Sequence, residues 1–521
     1  PLDFETVVVD DRAKLAALVE KLNAAEVIVW DVETTSIDQM SAKLVGIALA
    51  VDEKTGYYVP VGHQGKDAGT LFADEAGEQL PLDRVIEALH PALTNPDIPK
   101  VAHNALYDLV VTQRYGIDVT PIGFDTMIAE WVRDPISRNL GLKRFALAEL
   151  GITMTEISEL LGKGKSSVTM DVVAIEDAAP YAAADAVITL KAMRHLQPQL
   201  AEQELDDLFQ TLDMPMIPVI AAMQYHGAML DDAFLRDLGE QLAKQIVVLE
   251  QDIYALGESG EFNINSPKQL NEVLFEALKL PGEGLKKTTH GWSTDAVTLD
   301  ILKDEHEIIP KITEYRELSK LKSTYVDALP ELVNPETGRL HTSYNQTGTS
   351  TGRFSSSNPN LQNIPIRTEI GREVRRAFIA PPGYKLLAVD YSQIELRILA
   401  HISQDATLIA AFNEGQDIHR ATAAAVNGIA PEDVTYEQRS FAKRVNFGLI
   451  YGMGARRLAQ DSDLTYAEAE NFVKTYFDRL PGVERYIKGM EEFVKERGYT
   501  ETLLGRKRTF AQLAAGKSGR R

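Results

Sequence analysis

Three apolar-rich runs of strand length fall early in the chain: "EVIVWDVET" (26–34), "KLVGIALAVD" (43–52) and "GYYVPVG" (56–62). They share the first two hundred residues with "LPLDRVIEALHPAL" and "DAAPYAAADAVITLKAMRHL", whose apolar positions recur at helical spacing. The alternation predicts an α/β unit over residues 1 to about 200. From about 201 to 335 the period is helical. "LDDAFLRDLGEQLAKQIVVLEQDIYAL" holds a 3.6-residue repeat, and its start fits an Asp N-cap. "MPMIPVIAAM" (214–223) reads as core, and "GLKKTTHGWSTD" (284–295) as a polar, basic loop. From about 336 the pattern becomes strand-like and rich in turns. "KLLAVD" predicts a buried strand ending in Asp390, Glu395 opens a helix, and the remainder reads as helical.

At 521 residues the chain is too long for one core and predicts two to four domains. Apolar residues at 44% and charged residues at 25% fit a globular protein and argue against a disordered one. The absence of cysteine excludes disulfides and thiolate metal sites and fits a reducing cytoplasm. No apolar run is long enough to span a bilayer, so no membrane partner is expected. The chain begins at Pro1 without a signal-peptide pattern, which predicts a start inside a longer gene product. The net charge of −22 disfavours a polyanion partner until its distribution is examined. Arg439 to Arg521 carries seventeen Lys and Arg against ten Asp and Glu, a local +7 that leaves −29 elsewhere. Such asymmetry suits a basic face on an acidic body.

Candidate chemistry begins in "VWDVETTSID". Asp31 and Glu33 are two apart on a predicted strand, so both carboxylates point to one side. "YAAADAV" puts Tyr181 and Asp185 four apart on one helix face, and "VAHNALYDLV" supplies Asp108 beside Asn104 and Tyr107. Any one of these is ordinarily a salt-bridged strand end or a helix surface. Together they suit hard divalent cations such as Mg²⁺, two of which about 4 Å apart can activate a water and stabilise the leaving oxygen of a phosphodiester. Tyr181 is placed to orient that water.

A second constellation lies in "QRSFAKRVNFGLIYG". Arg439, Lys443, Phe447 and Tyr451 follow at four-residue intervals along one helix face. Two cations for a triphosphate precede two aromatics for a sugar or base. "DIHRATA" adds His419, and "TSTGRFSSSNPNLQNIP" (349–365) is a loop suited to backbone and minor-groove contacts.

The ordered D-x-E, N-x-x-Y-D and Y-x-x-x-D motifs resemble the active site of the DEDDy 3′–5′ exonucleases. By that resemblance Asp31, Glu33, Asp108 and Asp185 hold two metals, Tyr181 positions the water, and Ile37, Asn104 and Tyr107 contact an unpaired strand end. Asp125 in "GFDTM" reads as structural. "DYSQIELR" resembles motif A, and "RSFAKRVNFGLIYG" motif B, of family A DNA polymerases; "FNINSPKQL" and "YRELSKLKSTYVDALP" resemble their thumb. The chain is similar, in order, to the large, Klenow-like fragment of the bacterial members.

This resemblance implies an α/β and α+β multidomain fold. A ribonuclease H-like exonuclease domain (1–200) precedes a right-hand polymerase with helical thumb (201–335), partial palm (336–400) and helical fingers (401–521). It implies a nucleotidyltransferase with proofreading, in which Asp390, Tyr181 and Glu33 are catalytic. Asp390 would ligate both polymerase metals, Glu395 would lie beneath the incoming sugar, and His419, Arg439 and Lys443 would hold the triphosphate. Phe447, a variant that disfavours dideoxy substrates, would meet the sugar, and Tyr451 would stack at the insertion site. Arg353 and Gln362 would touch the terminal base pair from the minor groove. The implied cofactor is Mg²⁺, two ions per site, with Mn²⁺ able to substitute. The implied partners are primer-template DNA, deoxynucleoside triphosphates and single-stranded 3′ ends. A cytoplasmic, nucleoid-associated monomer is expected.

The family's second polymerase aspartate sits in a V-H-D-E motif that does not follow motif B here, and "KDEHE" (303–307) falls in the thumb region. The expectation is a fragment lacking roughly ninety C-terminal residues, about a small domain. Three readings are weighed: a proofreading polymerase, an exonuclease on a polymerase-derived DNA-holding body, and a non-catalytic DNA-binding protein. The intact set Asp31, Glu33, Asp108, Asp185 and Tyr181 speaks against the third. The missing motif predicts a chain that degrades single-stranded DNA 3′ to 5′ and binds DNA and nucleotide without extending a primer.

Overall fold

The computed structural model describes residues 3–65, 77–164, 167–289, 291–366, 368–460, 462 and 464–510. It divides into two compact units, 1–386 and 387–521. The first unit opens with a six-stranded sheet: β1 (Glu5–Val8), β2 (Ile28–Thr34), β3 (Leu44–Ala50), β4 (Thr55–Pro60), β5 (Lys100–Ala102) and β6 (Ile122–Asp125). The strand order is β1-β4-β3-β2-β5-β6. The β2–β3 and β3–β4 pairs are antiparallel, whereas β1–β4, β2–β5 and β5–β6 are parallel. All three apolar runs are therefore adjacent central strands. Every residue of β3 is buried, as a strand covered on both faces requires.

The helix Ile175–Glu202 covers this sheet with its alanine-rich side, where Ala178, Ala179, Ala182 and Ala186 are fully buried. Small residues permit the close approach. A Cβ on Gly56 in β4 would stand 2.7 Å from the Cβ of Ala183. Two shorter helices start just after β5 and β6. Ala105–Arg114 starts after Asn104, whose φ of 67° is left-handed, and Thr126–Arg133 starts at the Asp125 cap.

The rest of this unit has a separate core built on the helices Asp232–Leu256 and Ile308–Leu321, with Leu235, Leu242, Ile253, Ile308 and Ile312 at its centre. The expected Asp cap is Asp231, whose side chain accepts from the Phe234 N–H at 3.0 Å. Two expectations are corrected here. The run 214–223 belongs to the helix Met214–His226, but only one side of it is core; Val219 and Met223 are about half exposed and line an apolar groove. The basic loop 284–295 contains a small hairpin, Lys287–Thr288 against Gly291–Trp292; His290 lies outside the described residues.

The second unit is helical except for a small antiparallel hairpin, Tyr499–Glu501 against Lys507–Thr509, which corrects the reading of the whole remainder as helical. Its core gathers Leu396, Leu399, Leu408, Val445, Leu449, Tyr476 and Val483. Asp405 ties it together. Its buried carboxylate caps the helix Ala406–Asn413 and accepts the Gly482 N–H at 2.8 Å. Capping boxes start the helices Tyr436–Ile450 and Tyr466–Arg479. The predicted buried strand at 385–390 is not formed. Leu386, Leu387 and Val389 are 68–87% exposed and the run pairs with no strand among the described residues. Apolar sequence favours a strand only where a neighbouring strand supplies hydrogen bonds and cover.

Candidate active sites

Strand β2 delivers the first site. Asp31 lies opposite Ala48 and Glu33 opposite Gly46 in β3, and the register shifts after Glu33. The period of two sends both carboxylates to one side, where the long helix brings Asp185. Oxygens of Asp31, Glu33 and Asp185 come within 4.8 Å of one another. Asp108 stands beside this cluster rather than within it. It is 3% exposed, the Val32 N–H hydrogen-bonds its carboxylate, and its Oδ2 has no hydrogen-bond partner.

The electrostatics follow from placing like charges out of water. Burial, then the charge of Asp185, raises the Asp31 pKa to about 7, against an opposing pull from Lys143. Burial and the Asp31 carboxylate hold Glu33 well above its usual range. Burial, then Asp31, does the same to Asp108. Asp185 is also raised by burial, although Lys143 pulls it down. Carboxyls that reluctantly ionise together, with one buried oxygen unpartnered, are the donor set a divalent cation satisfies. The residues present therefore fit a metal centre.

Tyr181 is 8% exposed, and its hydroxyl interacts with both Asp185 and Lys143. Burial and Asp185 raise its pKa, so the phenol keeps its proton. Tyr107 is half-buried and fixed to Thr34 Oγ1 and the Ser36 carbonyl, each at 2.5 Å. Asn104 is exposed and Ile37 is 91% exposed. Asp125 proves structural. Its carboxylate accepts the N–H groups of Asn104, Ala105, Met127 and Ile128, anchoring two helix starts at once. Lys143 was not legible in the sequence. It sits 42 residues from Asp185, and nothing in "LGLKRF" sets it apart from a surface lysine.

The second constellation is brought together by the helices Ile418–Asn427 and Tyr436–Ile450. Lys443 is exposed and Phe447 half-buried, while Tyr451 follows at the helix C-cap and is 65% exposed. Arg439 Nε donates to Asp417 at 2.5 Å, and Asp417 also caps the facing helix through the His419 and Arg420 N–H groups. That acidic partner was missed, although "QDIHRA" has the form of an Asp cap. His419, expected to present a donor, is 2% exposed; its Nδ1 meets Asn446 at 3.0 Å and its ring lies 5.8 Å from that of Phe447. Glu395 is half-buried in the first turn of the helix Ile394–Ser403. Asp390 is exposed and belongs to no group of three metal-ligating side chains among the described residues. In the first unit, Gln362 donates to the Phe354 carbonyl at 3.0 Å, which puts it in the same loop as the exposed Arg353.

A sheet of this topology with an acid pair on its central strand defines a ribonuclease H-like domain. Comparison with known proteins is more specific. Residues 6–201 match the family model described as 3'-5' exonuclease, and residues 232–521 match DNA polymerase family A. The chain belongs to DNA polymerase family A and carries a 3′–5′ exonuclease domain. It is 46% identical to DNA polymerase I of Chloroflexus aurantiacus over 98% of its length and 54% of that protein. It is 42% identical to DNA polymerase I of Pseudomonas aeruginosa, covering 97% of the chain and 54% of the relative. It thus spans about half the length of these curated relatives. A solved structure, the POL domain of Pol1 from M. smegmatis in complex with DNA primer-template and dNTP, is similar at a TM-score of 0.83 and 31% identity, covering 98% of this chain and 83% of that one. No helix among the described residues is long and apolar enough to cross a membrane.

Proposed function

We propose that residues 1–200 remove nucleotides from the 3′ ends of unpaired DNA, and that the remainder holds primer-template DNA and deoxynucleoside triphosphates for template-directed synthesis. Thumb, palm and fingers are assigned to 201–335, 336–400 and 401–521. The observation that carries the reading is the convergence of Asp31, Glu33 and Asp185 beside the unpartnered oxygen of Asp108. Two Mg²⁺ ions, or Mn²⁺, would be held by these four carboxylates and would supply a nucleophilic water and charge stabilisation at the scissile phosphate.

The chain's own groups do the rest. Tyr181 keeps its proton, so it orients a water and does not deprotonate it. Its hydroxyl is held by Lys143 at 2.9 Å, which limits the directions in which it can bond. Tyr107, fixed to Thr34 and Ser36, offers a rigid face to the terminal base, with Ile37 and Asn104 beside it. In the second unit Lys443 and Arg439 meet the triphosphate, Phe447 the sugar and Tyr451 the base at the insertion site; in the first unit Arg353 and Gln362 face the minor groove. Asp390 would ligate the polymerase metals and Glu395 would lie under the sugar. The similarity to a polymerase solved with primer-template and dNTP supports this part. The same reading takes the chain to act as a monomer, in the cytoplasm at the nucleoid.

The test is degradation of a 5′-labelled single strand in Mg²⁺. The chain should shorten it from the 3′ end, and the Asp31→Ala, Glu33→Ala double variant should leave it intact. Degradation that survives the double change refutes the assignment.

A further inference from the structure

One cationic side chain reaches the acidic cluster from outside the D-x-E, N-x-x-Y-D and Y-x-x-x-D motifs. Lys143 lies on the short turn Leu142–Phe145, pinned by the buried side chains of Leu142 and Phe145. Its Nζ donates to the Asp185 oxygens at 2.8 and 2.6 Å and to Tyr181 Oη at 2.9 Å. An ammonium has three hydrogens, and here each has an acceptor. The ammonium also stands 4.2 Å from the centroid of the Tyr181 ring. The pair is largely enclosed, with side-chain exposures of 18% for Lys143 and 14% for Asp185. The carboxylate expected to bind a metal from the helix side is thus already engaged at both oxygens.

We propose that Lys143 is a resident cation of the acidic site. It holds Asp185 and the Tyr181 hydroxyl in register before a metal enters, competes with the metal for Asp185, and keeps the hydroxyl when it yields the carboxylate. Lys143 is a positioning residue, since it acts through Tyr181 and Asp185. The proposal rests on the reading of Asp31, Glu33 and Asp185 as metal ligands.

Competition gives a signature that loss of packing would not. Free Mn²⁺ is followed by electron paramagnetic resonance as it is titrated into the full chain, with melting curves in chelator confirming that each variant is folded. An opposite charge within hydrogen-bond reach shifts a carboxylate's affinity for a proton by about one to three decades. Lys143→Met should therefore bind Mn²⁺ at least about tenfold more tightly than the wild type, while its kcat on single-stranded DNA falls and KM changes little. Lys143→Arg, which keeps the charge, should bind Mn²⁺ no more tightly than the wild type. Unchanged or weaker Mn²⁺ binding in Lys143→Met overturns the proposal, as does an equal gain in Lys143→Arg. A wild type that binds no Mn²⁺ overturns instead the reading of the acidic cluster as a metal site.

Discussion

Replacing Asp31 with asparagine should stabilise the metal-free protein while disabling it. Asp31 ionises near pH 7 in the fold, against 3.8 for the free side chain. One pKa unit is about 1.4 kcal/mol, so an ionised Asp31 destabilises the folded state by about 4 kcal/mol at pH 8. The sign follows from the direction of the shift. A raised folded pKa means that the folded state binds the extra proton, so stability present below about pH 4 is lost as pH rises through about 7. Asparagine has nearly the same shape and never ionises. Part of the gain is offset because its amide needs partners of its own, leaving about 2–3 kcal/mol at pH 8. At pH 5 the wild-type penalty is only about 2 kcal/mol, and the advantage should nearly vanish. Urea denaturation in EDTA measures this. Buried Trp30 and Trp131, both in the sheet unit, report its unfolding by fluorescence. Adding Mg²⁺ should reverse the order, because only the wild type gains binding energy through Asp31. Equal stability of the two proteins in EDTA at pH 8 would refute the argument that the site is held at an electrostatic cost.

Asp125→Ala removes the acceptor for four N–H groups and should lower stability by about 2–4 kcal/mol in the same urea assay, since a lost cap and unsatisfied buried donors add. Gly46→Ala would put a Cβ 2.2 Å from the Tyr58 hydroxyl, which is itself fixed to His63 at 2.6 Å. The ring must move beside Glu33, so 3′ hydrolysis should slow by at least about tenfold with a stability loss of about 1–3 kcal/mol. For nucleotide binding, measured with a fluorescent dNTP, Lys443→Ala should weaken affinity about tenfold. Arg439→Ala should weaken it more, because it also bares the Asp417 carboxylate to the triphosphate. Equal effects would argue against the Asp417 contribution.

The sequence by itself determined the elements whose chemistry is local. Asp31 and Glu33 share a side because a strand has a period of two, and Tyr181 and Asp185 share one because a helix repeats every 3.6 residues. The three apolar runs had to become buried strands once each found the others, and the Asp231 cap followed from the residues around it. Only the tertiary structure decided what distant residues do to one another. It set Asp108 beside the cluster instead of in it and brought Lys143 onto Asp185. It enclosed His419 against Asn446, 27 positions away, and gave Arg439 an acidic partner. It left 385–390 unpaired, because a strand is made by its neighbours as much as by its own residues. Periodicity is written along one segment, whereas burial, charge pairing and cover belong to segments that meet only in the fold.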